Sequence, residues 1–329
     1  MKTLTERLPG IALAALIALP AWFIGQAFPI LGSPVLGILF GMLLAFWKRP
    51  ALYEAGIRYT GKKVLQHAII LLGFSMNLFQ VFKVGSQTLL LMCFTLVAAF
   101  VTAFLAGRFL KVQGRTATLI GVGTAICGGS AIAATAPVVQ AEEEEVAHAI
   151  STIFLFNVLA AFLFPFLGHL LGMGDFTFGL WAGTAVNDTS SVAAAGYSYS
   201  QAAGDLAVIV KLTRTLMIVP VTLFLAFYTS RKKAAGSPEQ TYSLGKIFPW
   251  FVLGFLLASL LSTFLPLPQE FWSFLAQVGK YFIVMAMAAI GLNTNVVQLL
   301  RKGGRPVLLG LITWVVLSLS SLGAIALLF

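Results

Sequence analysis

The sequence predicts an all-α polytopic membrane protein. Of 329 residues, 59% are hydrophobic and only 10% are charged, and the mean hydropathy is +0.95. Apolar runs of spanning length also recur from one end to the other. An ordinary soluble domain is about 45–50% apolar and about 25% charged. Disorder, a coiled coil and a secreted disulfide scaffold are excluded on composition. At roughly 20 apolar residues per helical span, the chain holds material for about ten crossings.

The runs fall at about 9–28, 34–47, 65–82, 87–107, 117–139, 148–171, 176–199, 206–229, 247–266, 275–299 and 305–328, separated by short basic or Gly/Pro-rich breaks. The first has the basic start of a signal peptide, but further spans follow at once, so it reads as an uncleaved transmembrane helix. Basic residues gather at alternate breaks: Lys2 and Arg7; Lys48, Arg49, Arg58, Lys62 and Lys63; Arg108, Lys111 and Arg115; Arg231, Lys232, Lys233 and Lys246; Arg301, Lys302 and Arg305. If the spans alternate from a cytoplasmic N-terminus, these 17 of the 21 Lys and Arg share one side, leaving Lys83, Lys211, Arg214 and Lys280 elsewhere. That pattern predicts a multi-pass membrane protein with its N-terminus in the cytoplasm. It also explains the net charge of +10 as a topology device, with contact to anionic membrane lipid as a second use and no nucleic-acid partner. Residues 230–246 read as a polar cytoplasmic linker within one transmembrane domain, 1–329. Cys93 and Cys127 fall inside apolar spans without metal-ligand spacing, so neither a disulfide nor a metal site is expected.

Two internal repeats organise the chain. Gly73, Asn77, Gln80, Lys83 and Gly85 match Gly291, Asn295, Gln298, Arg301 and Gly303 in the pattern G-x-x-x-N-x-x-Q-x-x-[K/R]-x-G. The charge pattern points the two copies in opposite directions, the mark of an inverted-repeat transporter. The second pair is GTAICGGSAIAA (123–134) and GTAVNDTSSVAA (183–194). Each centre suits a continuous helix poorly. Gly128 and Gly129 cost about 1 kcal/mol each relative to Ala, and Asn187, Asp188, Thr189 and Ser190 offer cap and turn chemistry. Broken helices are expected, buried in protein or facing water. If both segments cross, there are eleven spans and the copies run parallel; if both are re-entrant hairpins, there are nine and all repeats are inverted. The flanking loops around Glu142–Glu145 and Gly172–Asp175 lack Lys and Arg, so 9–11 spans stay open.

Three charges resist placement at a membrane edge: Asp188, and Lys211 with Arg214 at i and i+3 on one helix face. The functional expectation is a cavity lined by Lys211 and Arg214. There, backbone N–H groups near Thr124, Gly128, Gly129, Ser130, Asn187, Thr189 and Ser190 cradle a small anionic solute at half-helix N-termini. Asp188 would counter the cations and could carry a coupling proton. The plainer alternatives are a buried Asp188–Arg214 pair, or Lys211 snorkelling outward. Asn77, Gln80, Asn295 and Gln298 could line the same cavity or join helices. Glu142–Glu145 fits the first turn of a helix; Trp22, Trp47, Trp181, Trp250, Trp272 and Trp314 read mostly as interface anchors, and Asn157, His148 and His169 as single polar residues that pack between helices or sit at an interface.

Ser130 with His148 or His169 superficially suggests a serine–histidine dyad, but nothing fixes either histidine beside it, and the copy at Ser190 has none at the same offset. Catalysis is therefore not expected. A passive anion channel is the alternative to a carrier, since broken helices and basic residues also build pores.

The combination of GTAICGGSAIAA, EEEVA (143–147), GLWAGTAVNDTS (179–190) and IVKLTR (209–214) resembles the YeiH-type bacterial inner-membrane proteins over nearly the whole chain. The usual label of that family is conserved hypothetical protein or sulfate exporter, so the resemblance implies export of sulfate or a related anion such as a sulfonate. Where the family commonly carries His before the Asp, this chain has Asn187. The repeats also resemble crossed-helix secondary carriers such as sodium/proton antiporters. Those imply a core moving against a scaffold, frequently a homodimer, coupling to H+ or Na+, and no organic cofactor.

Overall fold

The computed structural model describes residues 4–28, 32–47, 49–232, 248–294 and 304–329, which are helical with short connections. The chain opens with α1 (Leu4–Ala27) and α2 (Ser33–Leu44). A composite run over 51–75 follows, made of a 3-10 turn, α3 (Glu54–Tyr59), a π turn (Thr60–Val64), α4 (Leu65–Leu72) and a closing 3-10 turn. Then come α5 (Leu78–Phe109), α6 (Gly114–Ala125), α7 (Gly129–Val139), α8 (Glu143–Leu170), α9 (Asp175–Ala185), α10 (Thr189–Tyr199), α11 (Gln201–Thr215) and α12 (Ile218–Lys232). The last three are α13 (Trp250–Phe264), α14 (Gln269–Leu292) and α15 (Arg305–Leu328). Among the described residues, six segments are long and apolar enough to cross a membrane: α1, α5, α8, the α11–α12 stretch, α14 and α15.

The helix boundaries follow local chemistry. Asn77 ends the composite run and starts α5, its Oδ1 accepting the amides of Phe79 at 2.9 Å and Gln80 at 3.4 Å. The break expected near Lys83–Ser86 therefore lies at Met76–Asn77, and Lys83 and Gly85 sit inside α5. At the start of α8, Glu142 and Glu145 form a capping box, with Glu145 Oε2 accepting the Glu142 amide at 2.8 Å. The acidic run thus occupies a first helical turn as expected. Residues 295–303 and 233–247, which include Asn295, Gln298 and most of the 230–246 linker, lie outside the described residues.

Both G-T-A segments turn back on themselves. At the base of the first hairpin (α6–α7), Arg115 Nη1 lies 3.9 Å from Glu142 Oε1. At the base of the second (α9–α10), the Ser200 hydroxyl donates to Asp175 Oδ1 at 2.7 Å, and Phe178 stacks on Tyr199. The bases meet opposite ends of α8, a helix about 42 Å long at 1.5 Å per residue. The hairpins therefore enter from opposite faces, the arrangement that goes with nine crossings rather than eleven.

Two bundles result. One holds α1, α2, the 51–75 run, α13 and α14; the other holds α5–α12 and α15. They meet chiefly where α10 lies on α2 and α14, with Ala193 and Ala194 packed among Ile38, Ala286 and Met287. Glycine approaches reveal the pseudo-symmetry. A Cβ on Gly73 would strike the Phe255 carbonyl of α13, and one on Gly291 the Ile38 carbonyl of α2. The repeated glycines thus mark equivalent close crossings of the inverted halves. Three tryptophans expected at interfaces are core residues instead: Trp181, Trp272 and Trp314 are only 2%, 5% and 5% exposed. The Trp181 indole donates to Ser318, and its ring stacks on Phe164, so packing claims both its polar and apolar parts.

Candidate functional site

The two hairpin tips converge on α11. Each tip contains the C-terminus of one half-helix, α6 or α9, and each such end leaves backbone carbonyls without intrahelical donors. Lys211 Nζ donates to the carbonyls of Ile126, at 2.8 Å, and Val186, at 2.9 Å, one from each tip. Arg214 donates through Nε to Ala125, through Nη2 to Thr124 and through Nη1 to Thr184. Both side chains are 0% exposed. Cations at helix C-termini also oppose the negative end of the macrodipole. Lys211 and Arg214 therefore staple the tips together from within; they do not line an open cavity, and Lys211 does not snorkel. Neither forms an ion pair with Asp188: the ion pairs among the described residues are Arg49 with Glu54, and Arg115 with Glu142 and Glu145.

The N-terminal half-helix ends are treated differently from one another. Asp188 caps α10, accepting the Ser190 amide at 3.1 Å and the Ser190 hydroxyl. Its own amide donates to Asn157 Oδ1 at 3.2 Å. Gly128 precedes α7 with φ +68°, and a Cβ there would sit 3.2 Å from Asp188 Cβ and 3.5 Å from Asn157 Nδ2. One carboxylate thus stands beside the starts of both α7 and α10. The α7 start has no side-chain cap; Gly129 is half-exposed with open space beside it, and Ser130 is exposed. Thr189 and Ser190 are buried. Asn187 is 1% exposed, and both its amide atoms, like Thr124 Oγ1, are buried without a hydrogen-bond partner among the described residues.

With ionised side chains, the charge count is instructive. Two half-helix N-termini near +0.5 and two C-termini near −0.5 cancel. Lys211 and Arg214 then outweigh Asp188 by one positive charge. Unsatisfied buried polar atoms and surplus positive charge coincide at one place.

Most of the expected site is brought together here: Thr124, Gly128, Gly129, Ser130, Asn187, Asp188, Thr189, Ser190, Lys211 and Arg214. Asn77 is not, because it is exposed and spent on capping α5. Asn157, expected to pack between helices or sit at an interface, belongs to the site. Its signal lay in the repeat: Gly123 packs on Ile153 of α8 as Gly183 packs on Val210 of α11, and four residues onward stand Asn157 and Arg214. His169 stacks on Tyr199 at the base of the second hairpin, and His148 lies in the α8 turn after Glu145, so neither is at the tips.

The fold and site together define a polytopic α-helical membrane protein with opposed re-entrant hairpins stapled by an intramembrane lysine–arginine pair. The chain belongs to the family described as conserved hypothetical protein 698, which matches residues 9–310 and is the YeiH-type family its motifs resemble. It is 51% identical over 330 residues to a UPF0324 membrane protein of Streptococcus pyogenes, covering 98% of this chain and 97% of that one. It is 45% identical over 341 residues to a UPF0324 membrane protein of Fusobacterium nucleatum, covering 97% and 98%.

Proposed function

We propose that this chain is a secondary transporter that exports a small anion, such as sulfate or a sulfonate, across the bacterial inner membrane from a cytoplasmic N-terminus. The observation that carries this reading is the junction of the hairpin tips, where net positive charge, uncapped α7 amides and the unpartnered Asn187 amide adjoin. An anion would take up hydrogen bonds that the protein leaves open, at the positive end of a half-helix. Lys211 and Arg214 contribute charge and rigidity without touching it. Asp188, beside both N-termini, is the group placed to exchange a proton; Na+ is the other coupling ion this reading admits. The proposal includes no organic cofactor, no catalysis and assembly as a homodimer.

Unequal packing of the two halves supports a carrier over a pore. Ser190 and Ala193 on α10 are buried, and α10 lies against α2 and α14. The matching Ser130 and Ala133 on α7 are exposed, and α7 packs chiefly on α6, α8 and α12. Exchanging these two environments would open the junction to alternate sides, as inverted repeats allow.

The test is counterflow in proteoliposomes loaded with unlabelled sulfate, sulfite, a sulfonate or a carboxylate. Uptake of labelled anion stimulated by internal anion is expected, and its loss in Asp188→Asn with membrane insertion intact. Normal exchange by both Asp188→Asn and Arg214→Ala would remove the site; current proportional to voltage alone would assign a channel.

A further inference from the structure

Lys280 is a further intramembrane cation, separate from the Lys211–Arg214 pair. It lies about 16 Å along α14 from Gln269 at 1.5 Å per residue, inside a segment long and apolar enough to span a membrane. Ionisable residues at such depth face protein or a water-filled space and seek a partner. Lys280 is half-buried and, among the described residues, forms no ion pair within 4.0 Å. The carboxylate that acts on it electrostatically, Asp205, is already engaged. It accepts from the Tyr197 hydroxyl at 2.8 Å and from Gln201 Nε2 at 3.0 Å.

Lys280 lines a cavity of about 330 Å³ at the seam where α1, α2 and α14 meet α10 and the start of α11. The cavity lies at the end where the second hairpin opens, apart from the hairpin tips. Trp22, Ser198, Gln201 and Gln277 share its wall. Ser198 is 2% exposed, and its Oγ has no hydrogen-bond partner. A cation without a bonded counter-ion and a buried hydroxyl without a partner thus border one space. Each is costly alone, and a single anion satisfies both.

We propose that this seam cavity is an anion-binding site, distinct from the hairpin junction. It would hold a small carboxylate or oxyanion, or the phosphate of a lipid headgroup, between Lys280 Nζ, Ser198 Oγ and the Gln277 side-chain amide. Lys280 belongs to one bundle and Ser198 to the other, so an occupant bridges the surface on which they meet. The site stands independently of any transport activity.

Trp22 supplies the readout, because iodide is both a small anion and a quencher of indole fluorescence. The full chain is placed in phosphatidylcholine nanodiscs at constant ionic strength and titrated with iodide, with Trp22→Phe subtracted to isolate that residue. Saturable quenching is expected, displaced by acetate or sulfate. Lys280→Gln should weaken it by about tenfold or more, the loss of one charge-assisted contact. Acrylamide, a neutral quencher, should act equally on both. If acrylamide reveals altered packing in Lys280→Gln, Lys280→Arg decides: retained saturation upholds the site and lost saturation overturns it. Competition by phosphatidylglycerol discs but not by free anions would uphold the site with a headgroup as its occupant. Linear iodide quenching, identical in Lys280→Gln, overturns the proposal whether or not the protein transports anything.

Discussion

Replacing Gly128 by Ala, and separately Gly129 by Ala, adds one methyl on either side of the start of α7 with opposite consequences. Gly128 holds φ 68° and ψ −134°, a region that side chains with a Cβ avoid, and forcing one there costs about 1–3 kcal/mol. The new Cβ also meets Asp188 Cβ at 3.2 Å, and disturbing that cap of α10 adds about 1 kcal/mol. Gly129 is the first residue of α7, with open space around its missing side chain, and there Ala is favoured over Gly by up to about 1 kcal/mol. At about 2–4 °C per kcal/mol, Gly128→Ala should lower the unfolding midpoint by about 4–16 °C, and Gly129→Ala should leave it level or raise it. The assay is thermal unfolding of purified protein in detergent at one scan rate. Equal losses, or a larger loss for Gly129→Ala, would refute the reasoning. Anion exchange should separate the pair again, because the Gly129→Ala methyl projects into the space beside the α7 amides.

Lys211→Met leaves the Ile126 and Val186 carbonyls without donors. At about 1–3 kcal/mol for each unpaired group, it should melt well below the wild type, and an unchanged midpoint would show that the staple is dispensable. Topology has a direct check in cysteine pairs, in a background lacking Cys93. Arg115→Cys with Glu142→Cys, and Asp175→Cys with Ser200→Cys, should each cross-link with a short bismaleimide. Helices crossing straight through would hold each pair on opposite membrane faces, and neither would react.

The class of fold was legible in composition and charge, and the helix breaks in the paired G-T-A motifs, though not whether those segments cross or turn back. That choice was hidden because the loops that decide it carry no basic residues, and because the contact at each base joins residues about 25 apart in sequence, such as Asp175 and Ser200. The roles of Lys211 and Arg214 were half legible. Their depth and shared face followed from spacing, but whether they meet solute or backbone depends on where two separate half-helices end. Asn77 and Trp181 show the opposite limit: an amide or indole read from sequence carries its chemistry without its address. One caps a helix and the other fills a core. Lys280 stood out only as a basic residue off the main pattern, since its cavity is built by five helices from both ends of the chain.

The lysine–arginine staple also sets an order on biosynthesis. The carbonyls of Thr124, Ala125 and Ile126 precede their donors by 90, 89 and 85 residues. At about 5–20 residues per second, the ribosome delivers Lys211 and Arg214 roughly 4–18 s after these carbonyls of the first hairpin. For that interval the hairpin tip carries bare acceptors in the bilayer. Nascent chains stalled before Lys211 should therefore be the ones that membrane quality-control proteases find first.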